Sequence, residues 1–238
     1  MLKSLKKIYL ATPGIPPIWR AVRKGLQDDP VCRAFYQKVF ESGKLRLPWV
    51  DPEAISPAAG GVFLPALYPL YAGEDAPLAD ILFLMNAAKG RGAKRILEVG
   101  TYRARTTYAF FLNCPNARIT SYDIQRIDSG YRTKLEKEDR VSLRLRSFQE
   151  SEDELKKEEP YDFIFIDGSH RVNDVVLDSL LAFKILAVGG LIVWHDYRTN
   201  GYATELLCVP EGLSRLPQGY LLHGVRGTTC AVFEKKWP

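Results

Sequence analysis

From Asp75 onward the chain alternates short apolar runs with helix-length segments, and this rhythm limits the fold more than any other feature. Arg95–Val99, Arg118–Tyr122, Val141–Leu145, Tyr161–Ile166 and Leu191–Trp194 read as strands. Between them, Ala79–Met85, Thr106–Leu112, Gln149–Lys157 and Val172–Leu186 carry the spacing of helices. The first of these helices should stop near Gly90 and Gly92, and Gly189-Gly190 should turn the last into its strand. Strands that alternate with helices imply an α/β fold, a parallel sheet covered on both faces. Near the end, Tyr220–Val225 and Thr229–Phe233 are close enough to form a hairpin, which predicts an antiparallel strand at the sheet edge.

The chain has 238 residues, 46% apolar and 26% charged, which excludes a disordered or fibrous protein. Its apolar runs fall far short of the roughly 20 residues of a membrane helix. Cys32, Cys114, Cys208 and Cys230 are scattered, there is no N-x-S/T sequon, and Met1–Leu10 lacks a signal-peptide pattern. A reducing cytoplasm is the expected setting. The net charge of +5 is uneven: residues 1–50 hold ten Lys/Arg against three Asp/Glu, so the remaining chain is slightly acidic. The chemistry-bearing part is therefore not a basic nucleic-acid clamp. Nine of the fifteen prolines lie in residues 1–75, which reads as a basic N-terminal extension of short helices (Ile18–Leu26, Val31–Glu41), followed by one domain over 76–238. Trp19, Tyr36, Trp49, Phe63, Tyr68 and Tyr71 are that extension's apolar anchors.

In an open parallel sheet the ligand crevice lies beyond the carboxyl ends of the strands. The first strand ends in Glu98-Val-Gly100-Thr101, where glycine allows close backbone approach and the next helix offers free N–H groups. There is neither G-x-G-x-x-G nor a P-loop lysine. The second strand ends at Asp123, 23 residues after Gly100, which suits a carboxylate gripping a ribose diol. The fourth and fifth strands end in Ile166-Asp167-Gly-Ser-His170 and Trp194-His195-Asp196-Tyr197. One crossover helix separates them, so these Asp and His residues should converge on one small volume.

With those residues placed, the chain resembles the class I S-adenosylmethionine-dependent methyltransferases over about residues 60–235, closest to small-molecule and sugar O-methyltransferase-like proteins. The resemblance rests on Glu98-Val-Gly100-Thr101…Ala104-Arg-Thr106, Ile166-Asp-Gly-Ser-His170 and His195-Asp-Tyr197, in order. It implies a Rossmann-like sheet of seven strands whose last strand is inserted antiparallel. It implies S-adenosylmethionine as cofactor, with Gly100 and Thr101 approaching its methionine portion and Glu98 and Thr106 also among the cofactor-binding residues. Asp123 would hold the ribose, Ile124, Ser147 and Phe148 would lie by the adenine, and Asp167 would face the amino group and acceptor. An acceptor hydroxyl needs a base; His170 is the first choice and His195 the second, with Asp167 or Asp196 as orienter. Two rival arrangements stay open: a divalent metal such as Mg²⁺ on Asp167 and Asp196, and a non-catalytic protein that keeps the fold for binding. The expected partner is a small-molecule or sugar acceptor, with no nucleic acid and with homodimerisation through the extension as an option. Ala104 replaces the family's second loop glycine and would be strained by about 1 kcal/mol or more at positive φ.

Overall fold

The computed structural model describes residues 47–56, 61–64, 77–197 and 208–237. The helices expected at Ile18–Leu26 and Val31–Glu41, and the anchors Trp19, Tyr36, Tyr68 and Tyr71, lie outside them. Within them the elements run β1 (Trp49–Val50), α1 (Pro52–Ile55), α2 (Leu78–Gly90), β2 (Arg95–Val99), α3 (Arg105–Asn113), β3 (Arg118–Asp123), α4 (Gly130–Leu135) and β4 (Val141–Leu145). A 3₁₀ turn (Gln149–Ser151) and α5 (Glu152–Leu155) lead to β5 (Tyr161–Ile166), α6 (Val172–Ile185), β6 (Leu186–Trp194), α7 (Cys208–Ser214), β7 (His223–Val225) and β8 (Ala231–Glu234). They build one eight-stranded sheet in the order β1-β7-β8-β6-β5-β2-β3-β4. The pairings are parallel except those of β8, which runs antiparallel to β6 and β7. This is the expected Rossmann-like methyltransferase sheet with one strand more.

The extra strand is β1, two residues from the stretch that sequence assigns to the extension. Trp49 pairs with Gly224, and its ring lies 2.7 Å from where a Cβ on Gly224 would stand. Two residues carry no periodicity, so the sequence offers no sign of this strand.

Both faces of the sheet are buried, and period-two alternation sorts the side chains between them. Leu97, Val99, Ile164, Ile166, Ile192 and Trp194 pack on the side of α6 and α7. Ile96, Phe163, Phe165, Leu191 and Val193 pack on the side of α2 and α3. The expected turn at Gly189-Gly190 is corrected: α6 ends at Ile185 and β6 begins at once with Leu186. The glycines sit inside β6 at a register shift, where Tyr161 faces Leu186 and Phe163 faces Leu191. A Cβ on Gly190 would stand 2.9 Å from the backbone carbonyl oxygen of Ala187 and 3.1 Å from that of Asp162, so the bulge itself favours glycine.

The parallel ladder continues past the strand ends into the loops. Gly100 N donates to Tyr122 O (2.8 Å), Asp167 N to Val99 O (2.8 Å) and His195 N to Ile166 O (3.0 Å). The first residues of three loops are thus locked side by side along one sheet edge. Among the described residues no helix is long and apolar enough to cross a membrane.

Candidate functional site

The β2 end is a tight turn against its neighbour. Gly100 has φ +101, and a Cβ there would stand 2.0 Å from the carbonyl oxygen of Asp167. Its glycine is required by the protein's own β5 loop, not only by a ligand. The turn continues through Tyr102 (φ 44) and Ala104 (φ 60). Ala104 caps α3 in the left-handed region, so the strained alternative is the one realised.

Beneath the turn Glu98 is fully buried. Its Oε2 accepts hydrogen bonds from Thr107 Oγ1 and Ser121 Oγ, each at 2.5 Å. Ser121 in turn is 2.6 Å from Thr101 Oγ1. Glu98 Oε1 is buried with no hydrogen-bond partner among the described residues. Burial pushes the carboxyl up to about 8 against the two hydroxyl donors, helped by the charges of Asp167 and Asp123. The expected Thr106 is half-buried; it is Thr107, one residue on, that reaches Glu98.

Asp123 ends β3 facing the same turn. Its Oδ2 accepts from Tyr102 N (2.7 Å) and its Oδ1 from Gln125 N (2.8 Å). Two donors leave lone pairs for a further pair of hydroxyls. Ile124 beside it is 73% exposed, an apolar surface that no described residue covers. Ser147 is half-buried. Phe148 is buried and packs edge-on against Tyr122, centroids 5.5 Å apart, so its ring belongs to the core.

At the ends of β5 and β6 the four expected residues do meet. His170 Nε2 lies 2.9 Å from Asp196 Oδ2. His195 Nδ1 lies 3.1 Å from Asp167 Oδ1 and 3.2 Å from Asp196 Oδ2. Asp196 sits at φ 55, a left-handed strain that a packed cluster can hold. Burial would lower the His170 pKa, but the hydrogen bond and charge of Asp196 outweigh it and raise it above the ordinary value. For His195 burial is likewise overcome, by the charge of Asp167 and hydrogen bonds to Asp167, Asp196 and Asp80, which hold it well above. Burial would raise Asp196, yet the two histidines draw it well below the carboxylate range.

His195, the second choice as base, is held by carboxylates at both ring nitrogens. Its Nε2 lies 3.0 Å from Asp80 Oδ2, so both ring nitrogens face carboxylates and both donate. A ring with two N–H groups has no lone pair to take a proton.

Asp80 was not found by sequence reading. It stands in the first turn of α2, where an acidic residue ordinarily signals a solvated helix start, yet it is fully buried. It also accepts from Thr229 N (2.9 Å) and Thr229 Oγ1 (2.5 Å) in the β7–β8 turn.

Residues 86–197 match the family model described as "Methyltransferase domain". Among curated proteins none matches the sequence. Solved structures with a similar fold include the O-methyltransferase TomG from Streptomyces achromogenes, involved in tomaymycin synthesis, in complex with SAM. It has 16% identity and a TM-score of 0.54, over 68% of this chain and 82% of that one. The O-methyltransferase from Bacillus cereus in complex with SAH has 21% identity and a TM-score of 0.50, over 69% and 84%. CalS11, a TDP-rhamnose 3'-O-methyltransferase of calicheamicin biosynthesis, has 15% identity and a TM-score of 0.52, over 66% and 79%.

Proposed function

We propose that the protein methylates a hydroxyl of a small molecule or sugar with S-adenosylmethionine, a reading supported by the match of residues 86–197 to a methyltransferase domain model and by a fold like that of solved O-methyltransferases. The observation that carries the reading is the shared sheet edge: the Gly100 turn and Asp123 on one side, the His170–Asp196 pair on the other. The residues fit the cofactor on the chemistry of their donors. Asp123 keeps acceptor capacity for a ribose diol, exposed Ile124 suits an adenine face, and orphaned Glu98 Oε1 leaves a polar group beneath the Gly100 turn. When bound, S-adenosylmethionine supplies a methyl group activated by its sulfonium.

The chain's own residues supply orientation and proton removal. His170 takes the hydroxyl proton. Asp196, bonded to its Nε2, fixes the ring and stabilises the charged form, the arrangement of a base with its orienter. The acceptor class draws support from neighbours named as O-methyltransferases, one of them acting on TDP-rhamnose.

A divalent cation is the competing arrangement. Asp167, His170 and Asp196 each offer a ligand atom, all within 4.8 Å of one another. The fit fails at His195, whose Nδ1–H already lies against both carboxylates. We route no step through a metal.

Binding of S-adenosylhomocysteine, measured by calorimetry and thermal shift with NADH as control, tests the reading. Ligand at 100 times its dissociation constant should stabilise by about 2.7 kcal/mol, a rise of roughly 5–10 °C. Asp123→Ala should weaken binding at least about tenfold while the protein stays folded. No shift at millimolar ligand would overturn the proposal in favour of a non-catalytic fold.

A further inference from the structure

Asp80 and Thr229 both lie outside the matched methyltransferase segment, yet they reach its acceptor side. Thr229 alone would satisfy a carboxylate whose task was to tie α2 to the β7–β8 turn. The third contact, His195 Nε2 to Asp80 Oδ2, has a different consequence. An imidazole is rigid, so pinning Nε2 fixes where Nδ1 points. It points between Asp167 Oδ1 and Asp196 Oδ2, at 3.1 and 3.2 Å. Phe165, edge-on with centroids 6.1 Å away, further restricts the ring.

Two carboxylates held this close repel one another, and something must offset that. A shared donor between them does so. We propose that Asp80 is a positioning residue: through His195 it holds an N–H between Asp167 and Asp196, in the place a divalent cation would otherwise take. The inference rests on the reading of this edge as the acceptor side of a methyl-transfer site. It adds that the two carboxylates are organised by the protein's own imidazole, anchored from α2.

The test uses the full chain. Mn²⁺ binding is followed by the electron paramagnetic resonance of the free ion, and S-adenosylhomocysteine binding by calorimetry. In Asp80→Asn the anchor loses its charge, and one carboxamide must serve both Thr229 and the ring, so the hold on His195 weakens and Mn²⁺ affinity should rise at least about tenfold, the scale on which outer contacts tune a metal site. Thr229→Val removes one hairpin hydrogen bond but leaves the His195 contact, and Mn²⁺ affinity should stay within about twofold. Asp80→Asn affinity equal to or below wild type would overturn the proposal, because Asp80 would then serve only the hairpin or support a metal. Should Asp80→Asn fail to fold, His195→Gln must show the same rise, since a carboxamide cannot span Asp80 and both carboxylates at once; no rise would overturn it equally. Failure of wild type to bind S-adenosylhomocysteine refutes the cofactor reading instead, while the Mn²⁺ contrast still judges Asp80.

Discussion

Replacing Glu98 by Gln should flatten a pH dependence that the wild-type fold carries. The carboxyl is buried and raised from an ordinary 4.5 to about 8. The native state therefore holds its proton more tightly than the unfolded chain. The stabilisation is fully present below about pH 4.5 and is lost as pH rises through the window up to about 8. Within that window the loss is about 1.4 kcal/mol per pH unit, or about 5 kcal/mol across the whole of it. Glu98→Gln keeps a carbonyl for Thr107 and Ser121 but never ionises. Its amide group replaces the orphaned Oε1, at a constant cost of about 1–3 kcal/mol if it finds no acceptor. Urea denaturation of the cofactor-free proteins from pH 5 to 9 measures both effects. The stability of wild type minus that of Glu98→Gln should fall steadily between pH 5 and 8 and level off above. His170 and His195 titrate in both proteins, so their contributions largely cancel in the difference. A difference that stays flat, or rises with pH, would refute the argument that desolvation dominates at Glu98.

Gly100→Ala should cost more than about 3 kcal/mol or abolish folding, because its methyl would overlap the Asp167 carbonyl at a φ that alanine avoids; a melting point within 3 °C of wild type would contradict the close approach. Ala104→Gly relieves about 1 kcal/mol of left-handed strain but gives up a buried methyl worth about 0.8 kcal/mol and adds unfolded-state freedom. Thermal melts should therefore place it within about 1 kcal/mol of wild type, and a gain above 2 kcal/mol would mean the strain is larger than the dihedral implies. His170→Ala should leave S-adenosylhomocysteine affinity unchanged and lower turnover of a methylated acceptor by about 100-fold; undiminished turnover would remove His170 from the base role.

The α/β class was legible because β2, β5 and the inner part of β6 are buried on both faces and so read as continuous apolar runs. Parallel topology then forces Asp123, Asp167 and His195 to one edge, so the site's members could be read off strand ends. Their division of labour could not. His170 and His195 stand in similar loops, and only three-dimensional neighbours separate them: His170 is half-exposed with one carboxylate, His195 is buried among three. The Gly189-Gly190 pair looked like a turn because glycine marks turns and bulges alike.

The chain's periodicity and strand-end residues thus determined the sheet, apart from β1, and the residues gathered at its edge, since strand pattern and crossover handedness are local properties of sequence. Tertiary structure alone decided what each group can do. Asp80 lies 115 positions from His195 and 149 from Thr229, and no local pattern encodes contacts of that range. Protonation follows burial and neighbours, which exist only once the distant segments have packed.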